Sequence, residues 1–184
     1  VFGNPPSAVD RESSIWINRI ATPLGSMIMG VHDNGLCLLE FAERRMLDTQ
    51  LKRLSQRMGR VFLPGEHPLM EQVKQQLDAY FNGSLRTFTL PLQSPGTVFQ
   101  EAVWQELRAI PYGETRSYSQ VAAQIGHADA VRAVGRANGD NRIAIIIPCH
   151  RVVGSGGEPT GYGGGIWRKE YLLAMEQAQA FHLI

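Results

Sequence analysis

The sequence is short of cysteine, of net charge and of long apolar runs, and each shortage removes a class of protein. Only Cys37 and Cys149 occur among 184 residues. Two cysteines make no disulfide framework, so free thiols in a reducing, cytoplasmic setting are expected. Neither belongs to a Cys/His cluster with zinc spacing, so no metal site is expected. No apolar run reaches the roughly 18 residues that a membrane helix needs, and no signal peptide is visible. A membrane is therefore not an expected partner. The formal net charge of +1 says almost nothing about partners.

What is there is ordinary for a globular chain with a real core: 43% hydrophobic and 19% charged residues. The charge distribution is more informative than its sum. Five arginines (116, 132, 136, 142 and 151) face only Asp129 and Asp140 over Arg116–Arg151, a basic segment compatible with phosphate contact or with a solvated mixed surface. The chain opens at Val1 and not at Met, which suggests excision from something longer.

Ile15–Ala21, Gly25–His32 and Gly35–Phe41 are apolar-rich runs separated by Thr22-Pro23-Leu24 and Asp33-Asn34-Gly35. Asn-Gly between such runs is a hairpin signal, because both residues tolerate positive φ. The expectation is a three-stranded antiparallel meander with Cys37 packed inside its third strand. Glu43–Met58 carries Leu47, Leu51, Leu54 and Met58 on one helical face, and Pro68–Phe81 carries Leu69, Val73, Leu77 and either Tyr80 or Phe81. Val61–Glu66 reads as a connector, and Arg86–Leu92 as either a strand or an extended linker. Ser-Pro-Gly within Gln93–Gly96 marks a domain boundary.

The second half is mostly helical. Thr97–Ile110 ends at Pro111. Ser117-x-x-Gln120 is a capping box that starts a helix running to about Ile125. After Gly126-His127-Ala128, Asp129 can cap a further helix, Ala130–Asn138, which Gly139 would end. The pair reads as a helix-turn-helix. Its second helix is rich in small residues, suited either to helix packing or to close approach to a nucleic-acid groove. Arg132 and Arg136 share one of its faces. A glycine-rich loop, Gly154–Gly165, precedes a last helix from about Ile166 to Gln179.

Ile143–Val153, IAIIIPCHRVV, is the stretch that carries chemistry. Its β-branched run reads as a short buried strand. Pro148 stops it, and Cys149, His150 and Arg151 follow. A cysteine beside such a strand is most often a packed small hydrophobe. As a nucleophile it must be a thiolate, and a free thiol titrates only at about 8.5. His150 is the obvious proton acceptor, but neighbours on an extended strand face opposite ways. The two communicate only if Pro148–Arg151 turns or a water bridges them. An acid should orient the imidazole, and Asp140, Glu158, Glu170 and Glu176 all qualify.

The order Pro-Cys-His-Arg-Val resembles the active-site motif of the O6-alkylguanine-DNA alkyltransferases. The resemblance extends over nearly all the chain after residue 12. It is densest in Val98–Pro111, Gly113-Glu114-x-x-Ser117-Tyr118, Ala130–Gly135, Asn141, Ile147–Val153, Gly161-Tyr162 and Leu172–Glu176. It implies an α+β chain of two domains. A ribonuclease H-like N-terminal domain over 13–92 would hold the three-stranded sheet and helices. A mainly helical domain with the helix-turn-helix would follow over 93–184. Residues 1–12 would be a tail or linker, and Val1–Ala8 weakly resembles the end of an AraC-like DNA-binding domain, as in bifunctional Ada-like proteins.

For chemistry the resemblance implies irreversible transfer of an alkyl group from O6 of guanine, and from O4 of thymine, to Cys149. The acceptor protein acts once. Cys149 would communicate through water with His150, which Glu176 would hold. Tyr118 would offer the leaving base a proton, and Asn141 would brace the turn carrying Cys149. Arg132 would enter the base stack to fill the gap left by a flipped nucleotide, with Ser117, Ala133, Gly135 and Arg136 as further DNA contacts. The carbonyls of Cys149 and Val152 would read the guanine amino group, and Tyr162 and Gly163 would lie beside the base. The implied partner is double-stranded DNA met through its minor groove by a monomer, with no metal or cofactor.

Two features depart from the pattern. Gly163 replaces a hydroxyl residue found in some relatives, and the Cys and His ligands of a structural zinc in others are missing. Ala144, Gly163 and Gly164 suggest a pocket open to alkyl groups larger than methyl. Two other classes compete: a cysteine hydrolase or acyl-transfer enzyme, for which no oxyanion motif is visible, and a non-catalytic sensor of alkylated guanine, whose relatives lack the cysteine.

Overall fold

The computed structural model describes residues 14–181. The expectations for residues 1–12 lie outside them. The chain divides into two compact units, Val1–Pro95 and Gly96–Ile184.

In the first unit, β1 (Ile15–Thr22), β2 (Gly25–His32) and β3 (Gly35–Phe41) form the antiparallel meander. The sheet has a fourth strand, however. β4 (Phe62–Pro64) lies parallel to β1 at the edge, in the order β3-β2-β1-β4, where a connector was expected. Three residues are too few to show a period. Burial of Phe62 and Leu63 provides the driving force, and Pro64 is tolerated because an edge strand need not donate its N–H. Gly65 must be small there, since a Cβ would lie 2.5 Å from the Trp16 ring.

Helix α1 begins at Leu47 and runs to Met58, four residues later than expected. Met46, at φ 63, breaks helical geometry before it. Leu51 and Leu54 of α1 pack with Ile15, Ile17, Cys37, Leu38 and Phe62 in one apolar cluster. Helix α2 occupies Pro68–Phe81 as the spacing predicts, with His67 Nδ1 accepting from the Leu69 N–H at 3.2 Å. Arg86–Leu92 opens on a bend, forms no strand, and meets β3 at the Leu36–Leu92 bridge.

The second unit holds α3 (Val98–Ala109), α4 (Tyr118–Gln124), α5 (Val131–Gly139) and α6 (Ile166–Phe181). The Ser117–Gln120 capping box is formed, and Thr97 and Gln100 make a second one at α3. Asp129 does not cap α5: Ala130 holds that position without a side-chain bond, and Gly139 is the last helical residue rather than a stop. Trp104 donates to the Ala137 carbonyl at 2.9 Å, tying α3 to the end of α5. A two-residue parallel pair, β5 (Arg116–Ser117) with β6 (Val152–Val153), brings the start of α4 beside the segment after Cys149. Neither strand is long enough to be seen in sequence.

The main correction concerns Ile143–Ile147. The run is buried, as expected, but it is a series of tight turns and not a strand. Its amides bond locally, Ile146 to the Ala144 carbonyl at 2.9 Å and Ile147 to that of Ile143 at 3.0 Å. Asn141 supplies what a neighbouring strand would have supplied. Its Oδ1 accepts from the Ile143 N–H at 3.0 Å and its Nδ2 donates to the Ile147 carbonyl at 2.9 Å. Ile145 sits at φ 72, where a β-branched residue costs about 1–3 kcal/mol.

Candidate active site

Cys149–Arg151 form one turn of 3-10 helix immediately after Pro148, so the chain does turn where communication between Cys149 and His150 requires it. Cys149 is 6% exposed and His150 is fully buried. Asn141 Nδ2 lies 3.1 Å from Cys149 Sγ. The residue that shapes the turn therefore also donates to the sulfur, and such a bond is worth more to a thiolate than to a thiol.

Helix α6 presents Lys169, Leu172 and Glu176 on one face, all at 0% exposure. Of the four candidate acids, Glu176 is the one that meets the imidazole: its Oε1 lies 2.8 Å from His150 Nε2. The same carboxylate takes Arg151 in a fork, Nε to Oε2 at 2.9 Å and Nη2 to Oε1 at 3.0 Å, and the Gly113 N–H at 3.2 Å. Burial alone pushes the Glu176 carboxyl up, but the bonds and charge of His150 and Arg151 outweigh it and hold the acid well below the ordinary carboxylate range. An ionised carboxylate only accepts. Nε2 of His150 must therefore carry a proton toward it.

Burial holds the His150 pKa below the usual imidazole value despite the pull of Glu176. The ring is thus neutral near pH 7, with its lone pair on Nδ1. That atom is buried and makes no hydrogen bond among the described residues. The combination is a base held in one tautomer beside a cysteine.

Tyr118, the first residue of α4, is half-buried and donates its hydroxyl to the Thr160 carbonyl at 3.3 Å. Burial raises its pKa further above 10, and the charge of Cys149 adds to the effect. Gly135 of α5 lies against its ring, where a Cβ would meet ring carbons at 3.9 Å. Lys169 donates to the carbonyls of Thr160, at 2.7 Å, and Val152. Burial brings its pKa down to about 8 against the opposing pull of Cys149. Arg168 donates to the Gly164 carbonyl at 2.6 Å, so the glycine-rich loop is pinned to α6 by two successive cations.

Cys149, His150, Glu176, Asn141, Tyr118 and Val152 are thus linked through shared bonds and electrostatic contacts. Tyr162 is half-buried and Gly163 exposed within the pinned loop. Arg132 and Arg136 are exposed on α5, with Ala133 and Gly135 half-buried between them, while Ser117 caps α4. Sequence reasoning missed Lys169, Arg151 as a partner of Glu176, and Asn138, whose Nδ2 lies 3.3 Å from the Cys149 carbonyl. Lys169 had a signal, since it precedes Glu176 by two helical turns on the same face as Leu172. Asn138 had one too, falling with Val134 and Ala137 on the buried face of α5.

Residues 17–94 match the ribonuclease-like domain, and residues 98–178 the DNA binding domain, of 6-O-methylguanine DNA methyltransferase. The chain is 46% identical over 165 residues to the methylated-DNA–protein-cysteine methyltransferase of Mycobacterium leprae, covering 90% of this chain and 94% of that one. It is 41% identical over 167 residues to the protein of the same name from Methanosarcina barkeri, covering 89% and 98%. The crystal structure of Mycobacterium tuberculosis OGT in complex with DNA superimposes with a TM-score of 0.77 at 43% identity, covering 89% of this chain and 94% of that chain. With both of its units matched in order and whole-length relatives above 40% identity, the chain belongs to the 6-O-methylguanine DNA methyltransferase family.

Proposed function

We propose that the protein repairs DNA by taking the alkyl group from O6 of guanine, and from O4 of thymine, onto Cys149. The observation that carries this reading is the buried His150–Glu176 pair next in sequence to Cys149, with Asn141 on the sulfur, in a family whose members are named for methyl transfer from DNA to cysteine. His150 Nδ1 accepts the thiol proton, directly or through a water. The sulfur then attacks the alkyl carbon in line with the C–O bond. The S–C bond forms as the C–O bond breaks, and the electron pair leaves on the base, which Tyr118 helps to reprotonate. The product is a thioether that water does not cleave, so each molecule acts once.

A half-buried tyrosine and a buried thiol cannot reach O6 of a stacked base, so the nucleotide is flipped out. Helix α5 enters the minor groove, where small side chains allow close approach and Arg132 fills the vacated stack. Ser117, Ala133, Gly135 and Arg136 contact the DNA around it. The Cys149 and Val152 carbonyls read the guanine amino group, and Tyr162 and the Gly163 backbone flank the base. The protein works as a monomer.

The test is intact-protein mass after mixing with DNA containing O6-methylguanine, for wild type and Cys149→Ala. One added methyl per molecule, lost in the variant, is the expected result. Binding without a mass change would favour a damage sensor, and neither binding nor transfer would favour a hydrolase.

A further inference from the structure

Residues 43–60 hold six of the chain's 18 basic residues, Arg44, Arg45, Lys52, Arg53, Arg57 and Arg60, against Glu43 and Asp48 alone. The whole chain has 17 acidic residues, so everything outside this segment is net acidic. Arg44 is engaged inside the unit by the buried Glu40 carboxylate, and Arg57 donates to the Pro95 carbonyl at 3.4 Å.

The packing of α1 decides where the other charges point. Leu51 and Leu54 are buried in the cluster with Ile15, Cys37 and Phe62. At 3.6 residues per turn, Lys52, Arg53 and Gln56 fall on the opposite side, with Arg57 at its margin, and all four are exposed. Asp48 is the sole acid of α1, and Arg45 adds an exposed cation just before the helix. Like charges four residues apart, such as Arg53 and Arg57, weaken a helix, so this face is kept at a cost to local stability. A face that needs only solvation mixes the two signs. The cleft between β1 and α2 in the same unit does so: Arg19 and Lys74 share it with Glu66 and Glu71.

We propose that the exposed face of α1 is a second DNA contact, in which Lys52 and Arg53, with Arg45 and Arg57 beside them, bind phosphates of duplex DNA. Charge complementarity to a polyanion is what the face offers. It has no apolar anchor for a protein partner. The contact reads neither sequence nor damage and raises affinity for DNA as such. The inference goes beyond alkyl transfer and shares with that reading only DNA as the partner.

The experiment titrates the full chain with an undamaged duplex, by fluorescence anisotropy, at salt from about 50 to 200 mM. Wild type is compared with Lys52→Gln/Arg53→Gln and with Arg19→Gln/Lys74→Gln, which removes the same charge from the mixed-sign cleft. Glutamine preserves helix propensity, so both variants should melt as wild type does. Loss of two phosphate contacts should lower the slope of log Kd against log salt by about two in the α1 variant. The cleft variant should keep the wild-type slope. Arg45→Gln, which lies outside the helix and leaves α1 intact, should lower the slope by about one. An unchanged slope in Lys52→Gln/Arg53→Gln and Arg45→Gln would leave the face merely solvated and overturn the proposal. An equal fall in the cleft variant would reduce the effect to net charge and overturn it as well. A wild type that binds the duplex but takes no methyl from O6-methylguanine is a different failure: it removes the alkyl-transfer reading and leaves this contact standing.

Discussion

His150 Nε2 and Glu176 Oε1 lie 2.8 Å apart with both side chains wholly removed from solvent. The pair is made by a 3-10 turn and the last helix, 26 residues apart in sequence. Glu176 also carries the charge of Arg151, so the cluster is a buried ion pair with a neutral imidazole attached. Removing one partner of such a pair leaves the other charge unmatched. Glu176→Gln is therefore expected to destabilise folding by about 3–5 kcal/mol, measured by urea unfolding. An effect below about 1 kcal/mol, the range of an exposed pair, would sink the buried-pair description.

The same cluster sets the response to pH. His150 has a lower pKa folded than unfolded, so below the usual value of 6.5 the unfolded chain binds the extra proton and stability falls on acidification. Glu176 is also depressed. Its contribution is present above the ordinary carboxylate value and is lost as pH drops further, from about 4.5 downward. Unfolding free energy should thus decline in two steps as pH falls from 7. His150→Gln should remove the step beginning near 6.5 and leave the lower one. A wild-type stability that is flat between pH 6.5 and 5 would contradict the assignment.

The fold was legible where a period or a cap is long enough to register. Helix α2 begins and ends at the predicted residues because Pro68 opens it and four apolar positions repeat along it. Strand β4 and the β5–β6 pair were invisible, since two or three residues carry no period and their pairing depends on partners distant in sequence. Ile143–Ile147 misled for a different reason. Isoleucine reports burial and β preference together, and here only burial holds, because Asn141 captures the backbone groups that a strand would have bonded. At the candidate site, Glu176 was one of four acids by sequence and was singled out only by the family resemblance. The fork from Arg151 and the Lys169 bonds are tertiary facts without a local signature.

Asn141 joins the turn to the nucleophile, so its loss should be felt twice. Asn141→Ala leaves the Ile143 N–H buried without its partner, at a cost of about 1–3 kcal/mol, and takes one of two donors from the Ile147 carbonyl, which keeps the Cys149 N–H at 2.8 Å. It also removes the N–H from Cys149 Sγ. The variant should lose stability and methyl-transfer rate together. Asn141→Asp keeps the acceptor for Ile143 but places negative charge beside the sulfur. It should recover part of the stability while transferring more slowly than the alanine variant, as read by melting and single-turnover mass kinetics.

Lys169 has a pKa of about 8, so it loses its charge in the range where most lysines remain protonated. Its cation is near Cys149 and supports negative charge there. Transfer rate should therefore decline as pH rises through about 8. Lys169→Met should be slower at pH 7 and lack that alkaline limb. A limb that persists unchanged in the methionine variant would assign it to another group.

Arg132 is exposed on α5 and can act on DNA in two ways that a rate measurement separates. As a phosphate contact, its removal would weaken binding to all duplexes alike and reduce the salt dependence of binding by about one unit of slope. As the residue that fills the stack, its removal would leave the flipped state unsupported. Unstacking costs a few kcal/mol, so Arg132→Ala should transfer about a hundredfold more slowly from paired duplex. The deficit should shrink sharply when O6-methylguanine is offered in a single strand, where there is little stack to replace. Arg132→Lys restores charge without the flat guanidinium and should recover salt dependence but not the duplex rate. An equal deficit on single-stranded and duplex substrate would identify Arg132 as a phosphate ligand and return the flipping step to the rest of α5.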